Sequence, residues 1–141
     1  MLTVHSSVLG LDVGSKRIGI AVASLAARLP RPLTTLEFNG DFFAALDAII
    51  KTEDVGTLVI GLPRNLEGSS TAQTEAVETF IERLQEHSGL PVHRQDEALT
   101  SRKAEAELEA RGKPYKRGDI DALAATYILQ DWLAEQPRED A

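Results

Sequence analysis

The sequence predicts an α/β protein whose five-stranded mixed sheet carries helices on both faces. Three strand-like runs come first, and helix and strand patterns alternate after them, an order that favours three antiparallel strands followed by parallel ones. The length of 141 residues fits one domain, and the hydrophobic content of 43% is ordinary for a globular chain. We therefore expect a single domain over residues 1–141, with flexible tails at 1–7 and 136–141.

Two apolar runs begin the predicted sheet. Residues 8–13 and 18–23 are separated by a short segment that contains the turn-prone pair Gly14-Ser15, so we expect an antiparallel hairpin. Residues 33–38 follow as a third strand, with Pro32 at its edge, where a missing backbone donor is tolerated.

Helix and strand patterns alternate in the rest of the chain. The first helix is predicted to start after a cap at Asp41 and to end near Thr52, and the continuous apolar run 57–62 is typical of a strand buried on both faces. A second helix, capped by one of residues 69–71, ends at Gly89. The remaining predicted elements are a strand over 90–95 and helices over about 100–111 and 119–135.

The composition excludes several classes of protein. The absence of cysteine excludes disulfides, thiolate zinc sites and a cysteine nucleophile. The net charge of −7 is unfavourable for binding nucleic acid through phosphate neutralisation, unless the basic residues cluster. No apolar run approaches the roughly 18–20 residues of a membrane span, and the first residues lack a signal-peptide pattern. We expect a cytoplasmic protein with no membrane partner.

Three carboxylates stand where carboxylates are usually avoided. Asp12 interrupts the apolar first strand, Glu97 directly follows the fifth strand, and Asp121 projects into the apolar stripe of the last helix. Each has a simpler interpretation by itself. Asp12 could cap the adjoining turn, and Asp121 could merely face the positive N-terminus of its helix. Asp96 competes with Glu97, since neighbouring strand residues face opposite sides of a sheet.

Considered together, these carboxylates could converge at one end of the sheet, where α/β folds usually place their sites. Three carboxylates that close repel one another unless a divalent cation offsets the charge, and hard oxygen ligands favour Mg²⁺ or Mn²⁺. Asp119 projects outside the apolar stripe and is interpreted as a capping residue. Asp131 also projects inward, but about 15 Å further along the helix, so it needs a different explanation.

Four motifs resemble those of the YqgF family, which comprises Holliday-junction-resolvase-like nucleases also described as precursor 16S rRNA nucleases. Residues 9–22 (LGLDVGSKRIGIAV) resemble the opening motif, and residues 61–63 (GLP) followed by Gly68 resemble the central one. Residues 96–101 (DEALTS) and 120–125 (IDALAA) resemble the third motif and the closing helix. The resemblance covers about residues 8–133, nearly the whole chain.

The resemblance implies a ribonuclease-H-like nuclease domain in which Asp12, Glu97 and Asp121 are the catalytic and metal-binding residues. It implies hydrolysis of phosphodiester bonds in structured nucleic acid, assisted by two Mg²⁺ or Mn²⁺ ions. The implied role is processing of the 5′ end of precursor 16S rRNA in ribosome biogenesis, resolution of Holliday junctions, or both. The chain departs from the family at Ala98, where Arg is usual, and at Leu25, where Asp is common.

Clustered basic residues are the expected substrate contacts. Six of the fifteen basic residues lie between Arg102 and Arg117 against three acids, and Tyr115 among them could stack on an exposed base. A solvated charged loop is the simpler interpretation of this cluster. The full set of predicted nucleic-acid contacts is Lys16, Arg17, Arg64, Arg102, Lys103, Lys113, Tyr115, Lys116 and Arg117.

Two other functions fit parts of the sequence. The segment from Asp12 to Gly19 also matches the first phosphate loop of ATPases of the actin and sugar-kinase type, although those proteins need two facing domains. A non-catalytic module that binds nucleic acid or a protein of ribosome assembly or transcription would use the same surface. An acidic triad touches phosphate and so does not separate DNA from RNA. Resolution of a junction would also require a homodimer.

Overall fold

A computed structural model describes residues 6–63, 72–97 and 100–137. Within these ranges, five strands form one sheet: β1 (Ser7–Val13), β2 (Arg17–Ser24), β3 (Arg31–Glu37), β4 (Val55–Pro63) and β5 (Val92–Glu97). The pairs β1–β2 and β2–β3 are antiparallel, whereas β1–β4 and β4–β5 are parallel. The predicted mixed sheet is therefore confirmed. Across the sheet, the order of the strands is β3-β2-β1-β4-β5.

Helices cover both faces of this sheet, as predicted. They are α1 (Phe42–Thr52), α2 (Ala72–Ser88), α3 (Thr100–Arg111) and α4 (Arg117–Ala134). On one face, α1 and α2 bury Phe42, Leu46, Phe80 and Ile81 against the large apolar side chains of the central strands. On the other face lies α4, whose residues 122–129 are all buried because it is enclosed between the sheet and α3.

Several boundaries differ from those predicted. Ser7, expected in the N-terminal tail, is the first residue of β1, and the backbone carbonyl of Gln136 accepts a hydrogen bond from Arg28 at 3.1 Å. The fifth strand starts later and ends later than predicted, because backbone pairing with Leu62 and Pro63 continues to residue 97. Glu97 is therefore the last residue of β5 rather than a residue beyond its end. The predicted cap of α2 at 69–71 lies outside the described residues.

The central helix α4 lies close to the sheet because glycines face it. A Cβ atom on Gly10 would lie 2.6 Å from Leu129 Cγ, and one on Gly61 would lie 2.3 Å from Ile128 Cδ1. The C-terminal end of α4 reaches the edge strand β5, where Gln95 Nε2 donates to Glu135 Oε1 at 3.4 Å. The helix therefore crosses the sheet obliquely, from β3 and β2 at its start to β5 at its end. No helix in the described ranges has the length and apolar character of a membrane span.

Candidate active site

The N-terminal part of α4 lies directly beside Asp12. Asp12 pairs with Gly19 across the β1–β2 hairpin. A Cβ atom on Gly19 would lie only 2.0 Å from the backbone oxygen of Asp121. Since strand residues alternate, Asp12 shares with Gly10 the face that α4 covers. The structure therefore brings Asp12 and Asp121 together, although 109 positions separate them in the sequence.

Burial and the neighbouring carboxylate of Asp121 destabilise the charge of Asp12. Withdrawal from water and then the negative charge of Asp121 raise the pKa of Asp12 from the 3.8 of a free aspartate to about 7. Arg17 offsets part of the charge, because its Nε atom donates to Asp121 Oδ2 at 2.8 Å. The side chain of Asp121 is 19% exposed and that of Arg17 is 36% exposed, so the arginine covers the acid from the solvent side.

Glu97 lies on the same face of the sheet as Asp12, but it has a different partner. Its carboxyl group shares a hydrogen bond with Asp131. Burial, that hydrogen bond and the charges of Asp131 and Glu135 raise the pKa of Glu97 to about 8, whereas Lys103 acts in the opposite direction. One carboxyl oxygen, Glu97 Oε1, is buried and has no hydrogen-bond partner among the described residues.

The oblique path of α4 explains why the acids form two pairs. Asp121 is the fifth residue of α4, at the start of its second turn above β2. Asp131 lies ten residues later, about 15 Å further along the axis, near the end that reaches β5. From the strand register, Glu97 lies two strands away from Asp12 and two residues beyond its level. That offset separates the two backbones by roughly 12 Å. Among the described residues, no group of three or more acidic or histidine side chains already forms a complete metal site.

The carboxyl groups of these residues nevertheless suit a divalent cation that prefers oxygen ligands. The carboxyl groups of Asp12 and Asp121 are neighbours, and the negative charge of Asp12 is poorly solvated. The unpartnered Oε1 atom of Glu97 is a further carboxyl oxygen on the same face of the sheet.

Strand alternation places Glu97 on the face that Asp12 occupies and Asp96 on the opposite face. Sequence reasoning did not identify the partnership of Glu97 with Asp131. The inward projection of Asp131 was a usable signal, but the path of the helix across the sheet could not be read from the sequence. Asp119 caps α4 as predicted, since its Oδ2 atom accepts from the backbone N–H of Lys116 at 2.9 Å.

The predicted basic contacts occupy different surroundings. Lys16 is exposed in the β1–β2 turn, and Arg17 is engaged with Asp121 rather than free for a phosphate.

The other predicted contacts lie near α3 and α4. The Nζ atom of Lys103 lies 4.4 Å from the centre of the Tyr127 ring, on the side of the site near Glu97. Arg117, the first residue of α4, is exposed. Lys113, Tyr115 and Lys116 line one cavity. Arg64 and the side chain of Arg102 lie outside the described residues.

Comparison with known proteins identifies the family. A family model described as RuvX, Holliday junction resolvase, matches residues 6–135. A relative from Crocosphaera subtropica is 42% identical over 135 residues, which cover 92% of this chain and 94% of the relative. One from Azotobacter vinelandii is 36% identical over 134 residues, with the same coverage. Both bear the name "Putative pre-16S rRNA nuclease".

A solved structure shares the fold. RuvC from T. thermophilus, in complex with a Holliday junction substrate, superposes with a TM-score of 0.56 at 17% identity. The match covers 92% of this chain and 94% of RuvC, and it confirms the expected ribonuclease-H-like fold. The family match confirms the assignment that the motifs indicated. The chain therefore belongs to the RuvX (YqgF) family of nucleases.

Proposed function

We propose that this protein is a metal-dependent endonuclease that hydrolyses phosphodiester bonds in structured nucleic acid. The observation that carries this proposal is the proximity of Asp121 to the buried carboxyl group of Asp12, whose pKa rises to about 7. A protein gains no stability from such a pair of acids, so a bound cation is the simplest reason for the arrangement. Mg²⁺ and Mn²⁺ are the cations that suit these ligands.

In this proposal Asp12, Asp121 and Glu97 hold the cations. When bound, the cations supply activation of the attacking water and stabilisation of the leaving 3′-oxygen. Arg17 fixes Asp121 in the cation-free protein, and its exposed guanidinium can turn to a phosphate oxygen of the substrate. Glu97 must leave Asp131 and lose the proton that its raised pKa retains at neutral pH before it can act as a ligand.

The substrate that we propose is precursor 16S rRNA, because the relatives from C. subtropica and A. vinelandii bear that substrate in their names. Processing of its 5′ end would place the protein in ribosome biogenesis in the cytoplasm. Holliday junction DNA is the second candidate, supported by the description of the family model. Junction resolution needs two symmetric cuts, so this candidate also requires a homodimer.

The test is a cleavage assay on precursor rRNA and on branched DNA, with Mg²⁺ or Mn²⁺, for the wild type and for Asp12→Asn. We expect cleavage by the wild type and a loss of at least about 100-fold in the variant, because the substitution removes a ligand charge. Asp41→Asn, at an exposed position before α1, is the matched control and should cleave normally. Undiminished cleavage by Asp12→Asn would refute the assigned site. Absence of cleavage by the wild type on both substrates would favour a non-catalytic binding module.

A further inference from the structure

A cavity of about 770 Å³ lies between the edge strand β3 and the connection from α3 to α4. Thr35 lines it from β3, Lys113, Tyr115 and Lys116 line it from the connection, and Leu108 and Leu123 contribute apolar surface. Its volume is within the range of about 300–1,000 Å³ that is usual for small-molecule sites.

The cavity is close to the acidic pair. Thr35 pairs with Gly19, and Gly19 pairs with Asp12, so the cavity wall is two strands from Asp12, roughly 10 Å away. Thr35 Oγ1 also donates to the backbone oxygen of Gly118 at 2.6 Å, which joins β3 to the first turn of α4. A chain of nucleotides that reaches Asp12 and Asp121 could therefore extend into the cavity.

The cavity is positively charged in a protein whose net charge is −7. Lys113 and Lys116 are exposed at its rim, and neither takes part in an ion pair within the described ranges. Arg111 also lines the cavity and is paired with Glu107. The carboxylates of Asp119, which caps α4, and of Glu109, which accepts from Tyr115, offset part of the positive charge. Two ammonium groups that have no ion-pair partner among the described residues can bind phosphates of a nucleic acid that reaches the acidic pair.

Tyr115 provides a fixed aromatic surface in the same cavity. Its ring packs against the cluster that contains Leu108 and Leu123, and its hydroxyl donates to Glu109 Oε1 at 2.5 Å. These two contacts restrain the ring, so little side-chain entropy is lost when a flat ligand stacks on it. Stacking on an aromatic side chain is the usual way in which proteins hold an unpaired base.

We propose that this cavity seats an unpaired nucleotide of the substrate, with its base against Tyr115 and its phosphates at Lys113 and Lys116. The inference rests on the proposed nuclease function and deepens it, because it names the substrate class as nucleic acid with a single-stranded segment beside a duplex. A fully paired duplex keeps its bases stacked inside and cannot use the aromatic surface.

The test measures binding by fluorescence anisotropy, with the full chain and with EDTA present to prevent cation-dependent cleavage. One probe is a hairpin with a short single-stranded flank, and the other is the same hairpin without the flank, each made in RNA and in DNA. We expect the wild type to prefer the flanked hairpin. Tyr115→Ala should weaken binding of that probe about 5–150-fold, which corresponds to one lost stacking contact, and should leave the blunt hairpin unchanged.

Matched variants separate stacking from loss of structure. Tyr115→Phe keeps the ring and should bind the flanked hairpin like the wild type. Replacement of Lys113 and Lys116 by Ala should lower the salt dependence of flanked binding by about two phosphate contacts. Lys51→Ala, on α1 at the opposite face, should not alter it. Thermal unfolding of each variant confirms that it is folded.

Two results would overturn the nucleotide site. If Tyr115→Ala still prefers the flanked hairpin over the blunt one, the cavity does not bind the base. Another ligand, such as a peptide paired with β3, would then occupy it. Equal losses on both hairpins would indicate general charge attraction instead of a seated nucleotide. The inference and the nuclease proposal can fail separately. If the protein prefers the flanked hairpin through Tyr115 but cleaves no substrate, the nucleotide site is supported and the nuclease proposal is refuted. If the protein cleaves its substrate but shows no such preference, the nuclease proposal is supported and the nucleotide site is refuted.

Discussion

Asp12→Asn should stabilise the cation-free protein in a pH-dependent way. The pKa of Asp12 rises from 3.8 in a free aspartate to about 7 in the folded chain, so between these pH values the folded state holds a proton that the unfolded state has lost. Stability therefore falls as the pH rises through this window. The full effect of that pKa change is about 4 kcal/mol.

Asparagine has the shape of aspartate without the charge, so the variant avoids this loss. Because Asp12 keeps partial contact with water, we expect a gain of about 2 kcal/mol at about pH 8 and none near pH 4. The midpoint of urea denaturation in EDTA, measured for both proteins across this range, gives the difference directly. Asp41→Asn, at an exposed position, is the control and should change the midpoint little at any pH.

Addition of Mn²⁺ at the higher pH gives an independent check of the same reasoning. A cation that binds the folded wild type raises its denaturation midpoint, whereas Asp12→Asn has lost a ligand charge and should respond much less. A variant that is no more stable than the wild type at about pH 8 in EDTA would show that the Asp12 charge is not destabilising. The electrostatic argument for a cation at this position would then fail.

Two substitutions test how α4 positions the site. Gly19→Ala should destabilise the protein by about 3 kcal/mol, because the new Cβ atom would lie 2.0 Å from the Asp121 backbone oxygen, whereas at Gly118 the nearest atom is 3.5 Å away and Ala should be tolerated. Equal urea midpoints for these variants would contradict the close packing. Asp131→Asn should lower the pKa of Glu97 from about 8 part of the way towards 4.5, measured by carboxyl NMR titration, because a hydrogen bond and a charge are lost while burial remains. An unchanged pKa would show that burial and the charge of Glu135 cause the shift without Asp131.

The regular elements of this protein were largely predictable from local patterns. The apolar runs in β1, β2 and β4 and the stripe of Val77, Phe80, Ile81 and Leu84 in α2 are buried as their spacing requires. The hairpin followed from the short link between its strands. The end of β5 was predicted wrongly because that strand is half exposed, so its last residues carry no apolar signal, and only pairing with β4 extends it to Glu97.

The anomalous carboxylates were visible in the sequence, but their grouping was not. An aspartate in an apolar strand and another on the inward side of a helix are visible anomalies, since each places a costly charge near a core. Whether Glu97 faces Asp12 or Asp131 depends on where α4 crosses each strand. That crossing is fixed by packing of Leu129 and Ile128 against Gly10 and Gly61.

The sequence by itself determined the order of the elements, the faces that they bury and the identity of the anomalous carboxylates, because periodicity and residue chemistry are local properties. Only the tertiary structure decided that Asp121 meets Asp12, that Glu97 meets Asp131, and that Lys113, Tyr115 and Lys116 line one cavity beside β3. These relationships depend on the angle at which one helix crosses the sheet. That angle results from contacts between residues far apart in the chain, which no local pattern encodes.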